Sequence, residues 1–557
     1  MKRIYLLLIV LLLGATALFC AEPLKLDIIF SNDVHGGIDR TPATFINPDF
    51  PPMLGGGGTA ATVIKEYRAQ AGPKESTLLF DVGDFFQGHP VGSVTKGKAI
   101  INYYNEIGYD AMALGNHDYD AGEASLISTL NGVKFPILSA NIVYKDTGKT
   151  PPYIRPYIII ERLGIKIGII GLTTTDTEKM SFPENIKNLD FVDEKDVLNK
   201  YIPIVKAQGA DLVFVLGHMG LPYDPEPAYQ SRYNADGSSK TTERYWGYDA
   251  QELAHEVNGI DLFLGGHMHK GFAKPWSDPI THTLVLTGYA YGSNLGIISL
   301  KIDPVTKKIE GYDLPAVREG SMITLFDDEF LPDEQISNSI KAEQKIAEKG
   351  MDEIIGSTSV YLSKENVDAQ SLIGNMCTDA MTAEVNADFG FLNLGGVRGQ
   401  IPVGPITYRQ VFDVMPFDNQ IVTFTCNGVF LKKIIETRVA GGRHGLLVSG
   451  ANVIYNKSRP DMDRVTELYI DGKPWDPNKM YKVATTDFLM QGNAGLTLLT
   501  SVPEDQITNY QTNLRDGIVN YIKKNSPIRT KIDDRWKRDD HARMSAELQK
   551  ALDSLPK

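Results

Sequence analysis

The sequence predicts an α/β unit with central sheets over residues 25–325, a linker helix over 326–350, and a second unit with its own strands over 351–528. Three observations carry this. At 557 residues the chain is too long for one ordinary domain, so two globular units with connectors are expected. Short apolar runs alternate with helical stretches through the first unit, the pattern of helices laid on mainly parallel strands. The charged segment "DEQISNSIKAEQKIAEK" (Asp333 to Lys349) then breaks the alternation with a helical period and closes at Gly350.

From the amino end, Lys2 and Arg3 precede the apolar run "IYLLLIVLLL" and the small residues "GATA", which reads as an export signal over 1–21. The run is shorter than the ~20 residues of a membrane span. "ATA" (Ala15 to Ala17) offers a small-x-small cleavage site, and Cys20 offers a lipid anchor. Bulky Phe19 disfavours the anchor, so a soluble or loosely held mature protein is expected, in the periplasm, secreted or at the cell surface. After the signal only Cys377 and Cys426 remain, and spacing leaves open whether they pair.

The runs "LDIIF", "TLLF", "AMAL", "FPILSA", "IKIGIIGL", "DLVFVLG", "DLFLGG" and "TLVLTG" are rich in Ile, Val, Leu and Phe and bounded by Gly or polar residues. Such runs are buried strands. Between them, "AATVIKEYRAQ" and "KAIINYYNEIG" read as helices. The Gly55 to Gly58 run lacks the Lys and Ser/Thr of a phosphate-cradling loop and reads as a turn into the next helix. In the second unit "ADFGFLNL", "NQIVTFTC" and "ANVIYN" read as strands and "IDGKPWDP" as a turn. The tail, 529–557, reads as a charged amphipathic helix or a frayed end. The net charge of −13 disfavours nucleic acid as a partner. A small anionic substrate fits if local cations override that field.

Ligands of α/β sheets gather at the carboxyl ends of strands, and five polar clusters follow the apolar runs. "FSNDVHGG" supplies Asp33 and His35, and "DVGDFFQG" supplies Asp84. "GNHDYD" supplies Asn116, His117, Asp118 and Asp120. "LGHMG" supplies His218, and "GGHMHKG" supplies His267 and His269. Imidazole, carboxylate and amide oxygen form a donor set suited to Zn, Mn, Fe or Co. Two divalent ions on Asp33, His35, Asp84, Asn116, His218, His267 and His269 would face only two carboxylates. That leaves a site of about +2, which favours an anionic ester. A two-metal clamp also lowers the pKa of bound water and holds phosphoryl oxygens for in-line displacement.

In this order the motifs Asp-x-His, Gly-Asp-x-x-x-Gly, Gly-Asn-His-Asp, Gly-His and Gly-His-x-His resemble those of the 5'-nucleotidase family of calcineurin-like metallophosphoesterases. The second unit is similar to the C-terminal domain of that family. The resemblance implies a sandwich of two sheets flanked by helices, joined by a helix to an α+β substrate-binding domain. It implies one metal on Asp33, His35, Asp84 and His269, and another on Asp84, Asn116, His218 and His267. His117 would meet the substrate phosphate with Asp120 orienting its ring, while Asp118, where the family usually has Glu, would be structural.

"NLGGVRGQIP", "VMPFDN" and "TTDFLMQGNAG" resemble the family's substrate-binding motifs. They imply Asn393 and Arg398 beside the phosphate and Phe417 and Phe488 around a nucleobase. Two departures stand out. Ala494 occupies the place of an Asp that usually grips ribose hydroxyls, and "SKENVDAQSLIGN" offers Lys364 but no Arg. The implied activity is hydrolysis of nucleoside 5'-phosphates or related nucleotides to nucleoside and phosphate. The alternative keeps the fold and changes the substrate to a 2',3'-cyclic nucleotide, a UDP-sugar or a thiosulfohydrolase-type ester. The insertion Pro222 to Asp249 is expected to line the cleft and feeds that alternative. A catalytically silent binding protein would have lost metal ligands, and the set is intact.

Overall fold

The computed structural model describes residues 22–43, 46–47, 50–71, 76–240, 247–315, 320–365, 370–439 and 445–539. The expected export signal, with Cys20, and tail residues 540–557 lie outside them.

The first unit is built on two sheets. In one, Leu24–Ser31, Thr77–Asp81, Ala111–Ala113 and Ile137–Leu138 run parallel, and Asn294–Ile302 and Ile309–Asp313 add antiparallel strands at one edge. In the other, Ile165–Thr173, Leu212–His218, Leu262–Gly265 and Leu284–Thr287 run parallel between the antiparallel edges Tyr157–Arg162 and Trp276–Ser277. Side chains alternate across each strand. Leu26, Ile28, Phe30, Leu78 and Phe80 meet Ile167, Ile169, Phe214, Leu216 and Leu264 in one core between the sheets. Ile29, Leu79 and Met112 point the other way, into a core shared with the helices Gly56–Gln70 and Lys98–Ile107. Both faces of the parallel strands are buried, which is why their runs read as continuous apolar segments. Each buried Leu, Ile or Phe contributes ~1.5–3 kcal/mol.

The glycine run has a packing role. A Cβ on Gly57 would lie 2.8 Å from Ile340 Cδ1, and one on Gly58 would lie 2.3 Å from Ser337 Oγ. The helix Glu334–Ala347 therefore seats directly on the helix that the glycines open. Asp333 caps it by accepting from the Ile336 N–H at 3.0 Å, and Lys65 pairs with the same carboxylate at 2.6 Å. At its far end Arg409 binds Glu348 at 2.5 Å and Asp352 at 2.8 Å, which ties the linker to the second unit.

Among the described residues the second unit carries a sheet in the order Leu447–Ser449, Phe389–Leu392, Met480–Thr486, Gln420–Asn427, Ile507–Asn513. The helices Leu372–Val385, Gly428–Val439 and Leu514–Asn525 pack with it. Cys377 and Cys426 are free, buried thiols in separate cores. The tail reading needs one correction. Trp536–Arg538 pairs parallel with Ala451–Tyr455, and Trp536 is fully buried. Residues 529–539 thus belong to the second unit, because one large aromatic inserted in its core outweighs the charged residues around it.

Candidate active site

The expected metal ligands converge where the parallel strands of both sheets end. Asp33, Asp84 and Asn116 follow strands of the first sheet, while His218 closes, and His267 and His269 follow, strands of the second. Five of the seven have left-handed backbones: Asp33 (φ +49°), His35 (+48°), Asp84 (+57°), His267 (+73°) and His269 (+53°). Such conformations cost energy for residues with a Cβ and cluster at functional sites. Here they turn successive side chains back toward one point. The flanking glycines permit the approach. A Cβ on Gly115 would fall 2.1 Å from Asp84 Oδ1, and one on Gly266 would fall 2.9 Å from Asp33 Oδ2.

Two groups result, Asp33 with His35 and His269, and Asp84 with His218 and His267, each with ligand atoms within 4.8 Å of one another. Asp84 Oδ2 lies 3.0 Å from His218 Nε2 and 3.8 Å from His35 Nε2, between the groups. His35 Nε2 and His269 Nε2 face each other at 3.0 Å. The other ring nitrogens are held by backbone: His35 Nδ1 by the Gln87 carbonyl at 2.9 Å, and His218 Nδ1 by the Val82 carbonyl at 2.8 Å. That fixes each tautomer with Nε2 turned inward. Burial takes His35 well below its ordinary range and, with His218 adding repulsion, pushes His267 down to about 3. Both rings therefore keep free lone pairs. His218 is also opposed by burial, yet the Asp84 and Asp33 carboxylates lift it to about 10, marking a place that demands positive charge.

The fit to metal ions rests on orphaned atoms. Asn116 Oδ1 and Nδ2 are buried without hydrogen-bond partners, an expensive arrangement unless something else binds them. Asn116 follows the strand Ala111–Ala113, which neighbours the strand that Asp84 follows. The donor set and these orphans fit two divalent ions of the Zn, Mn, Fe or Co type.

In "GNHDYD" the residues separate. His117 Nδ1 is 2.6 Å from Asp120 Oδ2, which leaves Nε2 free for a partner across the cavity. Burial opposes protonation of this ring, but Asp120 and then Asp84 outweigh it and raise His117 above its ordinary value. Asp118 instead accepts from the N–H groups of Gly115 at 2.8 Å, Asp84 at 3.1 Å and Phe86 at 3.4 Å. Its carboxylate ties two ligand loops together.

A cavity of about 360 Å³ separates His117 and Asp120 from Asn393, Arg398, Phe417 and Phe488 of the second unit. Arg398 Nη2 reaches to 3.3 Å from His117 Nε2, and its guanidinium lies 5.2 Å from the Phe417 ring. Phe417 stacks on His117 with centroids 5.8 Å apart at 28°. Phe488 is braced edge-on by Phe182 of the first unit at 5.7 Å. Ala494 lines the cavity at φ +53°. Neighbouring Asn493 donates its amide to the Phe488 carbonyl at 2.9 Å. Lys364 lies outside the lining and donates to the Arg398 carbonyl at 3.3 Å. The expectation for the insertion is corrected: none of its described residues lines the cavity, because Tyr229 and Tyr233 pack its helix Pro225–Arg232 against His255 instead.

Sequence reasoning missed Phe182, Gln87 and Arg515. Arg515 donates to the carbonyls of Met415 (2.9 Å), Pro416 (3.0 Å) and Phe417 (3.1 Å), and so holds the loop that presents Phe417. Its signal was a charge on the buried face of a helix, in register with Ile518, Val519 and Ile522.

His89, whose N–H donates to the His35 carbonyl at 2.7 Å, pairs with Asp39 at 3.0 Å. Burial alone would lower His89, but Asp39 lifts it to about 9. Stability from this pair is full below the ordinary 6.5 of the ring and is lost as pH rises through about 9. The melting temperature is expected to fall across that interval, and His89→Gln to flatten the slope; a slope retained in the variant would assign it to other groups.

Residues 26–271 match the calcineurin-like phosphoesterase family, and 354–501 match the 5'-nucleotidase C-terminal domain. Together the two matches span well over half of the chain. A snake venom 5'-nucleotidase of Gloydius brevicauda is 29% identical over 92% of this chain and 90% of its own length. Endonuclease YhcR of Bacillus subtilis is 27% identical over 84% of this chain, which spans only 37% of that longer protein. Among solved structures, a 5'-nucleotidase precursor of Thermus thermophilus superposes with a TM-score of 0.78 at 24% identity, covering 92% of this chain and 99% of that one.

Proposed function

The chain belongs to the 5'-nucleotidase family of calcineurin-like phosphoesterases, metal-dependent phosphoric ester hydrolases, and from that premise we propose that it is exported and releases phosphate from nucleoside 5'-phosphates or related nucleotides. One observation carries the reading: His117, at the edge of the metal cluster, meets Arg398 and Phe417 across a single cavity.

In this proposal Asp33, His35, Asp84 and His269 hold one divalent ion, and Asp84, Asn116, His218 and His267 the other. When bound, the ions supply a lowered pKa for water and positive charge for phosphoryl oxygens. His117 gives a proton from Nε2 toward the leaving oxygen, while Asp120 keeps the ring oriented through Nδ1. Arg398, with Asn393 beside it, neutralises charge that grows on the phosphoryl group. Phe417 and Phe488 offer stacking surfaces for a base, each worth ~1–3 kcal/mol. Arg515 keeps Phe417 in place.

The catalytic unit is taken as 25–325 and the substrate-binding unit as 351–539, which includes the strand Trp536–Arg538. Export rests on the pattern of residues 1–21, with the periplasm, the cell surface or the medium as destination. No helix among the described residues is long and apolar enough to cross a membrane.

Ala494 favours a second reading on the same fold. Its methyl group offers no hydrogen bond where a sugar diol would be gripped, so a 2',3'-cyclic nucleotide or a thiosulfohydrolase-type ester, which lack that diol, becomes the alternative substrate. The test is turnover of AMP, UDP-glucose, a 2',3'-cyclic nucleotide and 4-nitrophenyl phosphate with added Mn. AMP is expected to be hydrolysed, and Phe417→Ala to raise its KM ~5–100-fold while sparing ribose 5-phosphate, which has no aromatic ring to stack. Turnover of the aryl phosphate alone would reject the nucleotidase reading.

A further inference from the structure

We propose that Asp81 is a positioning residue for the metal centre: its buried carboxylate holds the turn that four ligand candidates share and sets a negative charge behind them. This rests on the metal-dependent phosphoesterase reading. Asp81 ends the strand Thr77–Asp81 and is fully buried. An apolar residue would suit a strand covered on both faces, and a buried charge is costly unless it is well bonded. The carboxylate is bonded at both oxygens. Oδ2 accepts from Ser31 Oγ at 2.6 Å and from the Tyr104 hydroxyl at 2.8 Å, and Oδ1 accepts from the Gly83 N–H at 3.0 Å. Tyr109 braces these donors: its hydroxyl lies 2.9 Å from Ser31 Oγ, and its ring stacks on Tyr104 at 4.1 Å. None of these side chains lines the substrate cavity or belongs to the ligand groups.

What the carboxylate grips is the turn of Val82, Gly83 and Asp84. The Val82 carbonyl accepts from His218 Nδ1 at 2.8 Å, and the Gly83 carbonyl accepts from the Asp33 N–H at 3.0 Å. Left-handed Gly83 (φ +93°) also lies against the segment that leads to Asn116, since a Cβ on it would fall 2.4 Å from the Gly115 nitrogen. Asp84 follows directly. A shift of this one turn would therefore displace Asp33, Asp84, Asn116 and His218 together.

The charge has its own consequence. Burial pushes the Asp81 carboxyl up to about 7, although Ser31, Tyr104 and the Gly83 N–H oppose the rise. Its ionised form thus costs the metal-free protein stability, and divalent ions beyond the turn offset that cost. Removing the charge should act in opposite directions on folding and on metal affinity, a pair of effects that a plain packing role does not produce.

The test is Asp81→Asn on the full chain. The amide keeps an oxygen for the Gly83 N–H, and its NH2 can donate to the Ser31 and Tyr104 oxygens. Shape and bonding persist while the charge goes. In calorimetric titrations with Mn, above the pKa of Asp81, affinity is expected to fall ~10–100-fold. The metal-free variant should melt no lower than the metal-free wild type. Excess Mn should refill the site and restore turnover, because every ligand remains. Unchanged Mn affinity, a metal-free melting temperature lowered along with the affinity, or turnover that excess Mn does not restore would each overturn the proposal. Asp81→Ala also takes the acceptor from the Gly83 N–H and is expected to lose more affinity than Asp81→Asn; equal losses would overturn the role of the turn. Tyr104→Phe, which removes one donor to the carboxylate, should weaken Mn binding by a smaller factor and decides the matter should the Asp81 variants not fold, an unchanged affinity counting against the proposal. A wild type that binds no Mn would reject the metal reading itself, whereas a wild type that binds Mn no better than Asp81→Asn would reject the role of Asp81 alone.

Discussion

His117→Asn is expected to lower turnover ~10²–10⁴-fold, the range of a positioned proton donor, with bound metal unchanged. The ring is outside both metal-ligand groups. Only its backbone touches them, through the N–H that donates to Asp84 Oδ1 at 2.8 Å, and asparagine keeps that bond. What the variant loses is a titratable nitrogen facing the cavity. The loss should appear in kcat more than in KM, because the proton is needed as the leaving oxygen develops charge. Rate measurements paired with metal analysis decide the matter: a variant that lost its metal would return His117 to the ligand set.

Asp84→Asn is expected to abolish activity by emptying the metal centre, a larger effect than the ~10–100-fold that outer partners of a metal carry. Asp84 Oδ2 sits between His218 and His35, so both groups depend on one carboxylate. Its Oδ1 is already engaged by the His117 N–H. Asparagine preserves the shape and removes the charge. The variant should bind fewer than two ions, and excess Mn should restore chelator-treated wild type but not Asp84→Asn. Full metal occupancy in the variant would show that Asp84 does not bridge.

The two sheets were legible because their parallel strands are buried on both faces, as in Ile28 toward the second sheet and Ile29 toward the helices. The linker was legible from its charge and helical period, and Gly350 ends it in a left-handed turn (φ +88°). The seven ligand candidates were legible because each lies at, or within a few residues of, the end of an apolar run, where local geometry and chemistry coincide. Trp536 was obscured by charged neighbours: a strand of three residues carries too little periodicity to stand out. Phe182 gave no signal, since its place as a brace for Phe488 depends on where the two units touch.

Sequence alone determined which residues stand at the strand ends and which chemistry they share, because strand burial, turn geometry and motif spacing act over a few residues. By resemblance it also implied different tasks for Asn116, His117, Asp118 and Asp120. Only the tertiary structure decided that Arg398 meets His117 across 281 residues of chain and that Arg515 carries the Phe417 loop. Those contacts depend on how the helix Glu334–Ala347 seats one unit against the other. Local rules do not encode that angle; it is set by the sum of packing along the glycine-opened helix and the ion pairs of Arg409.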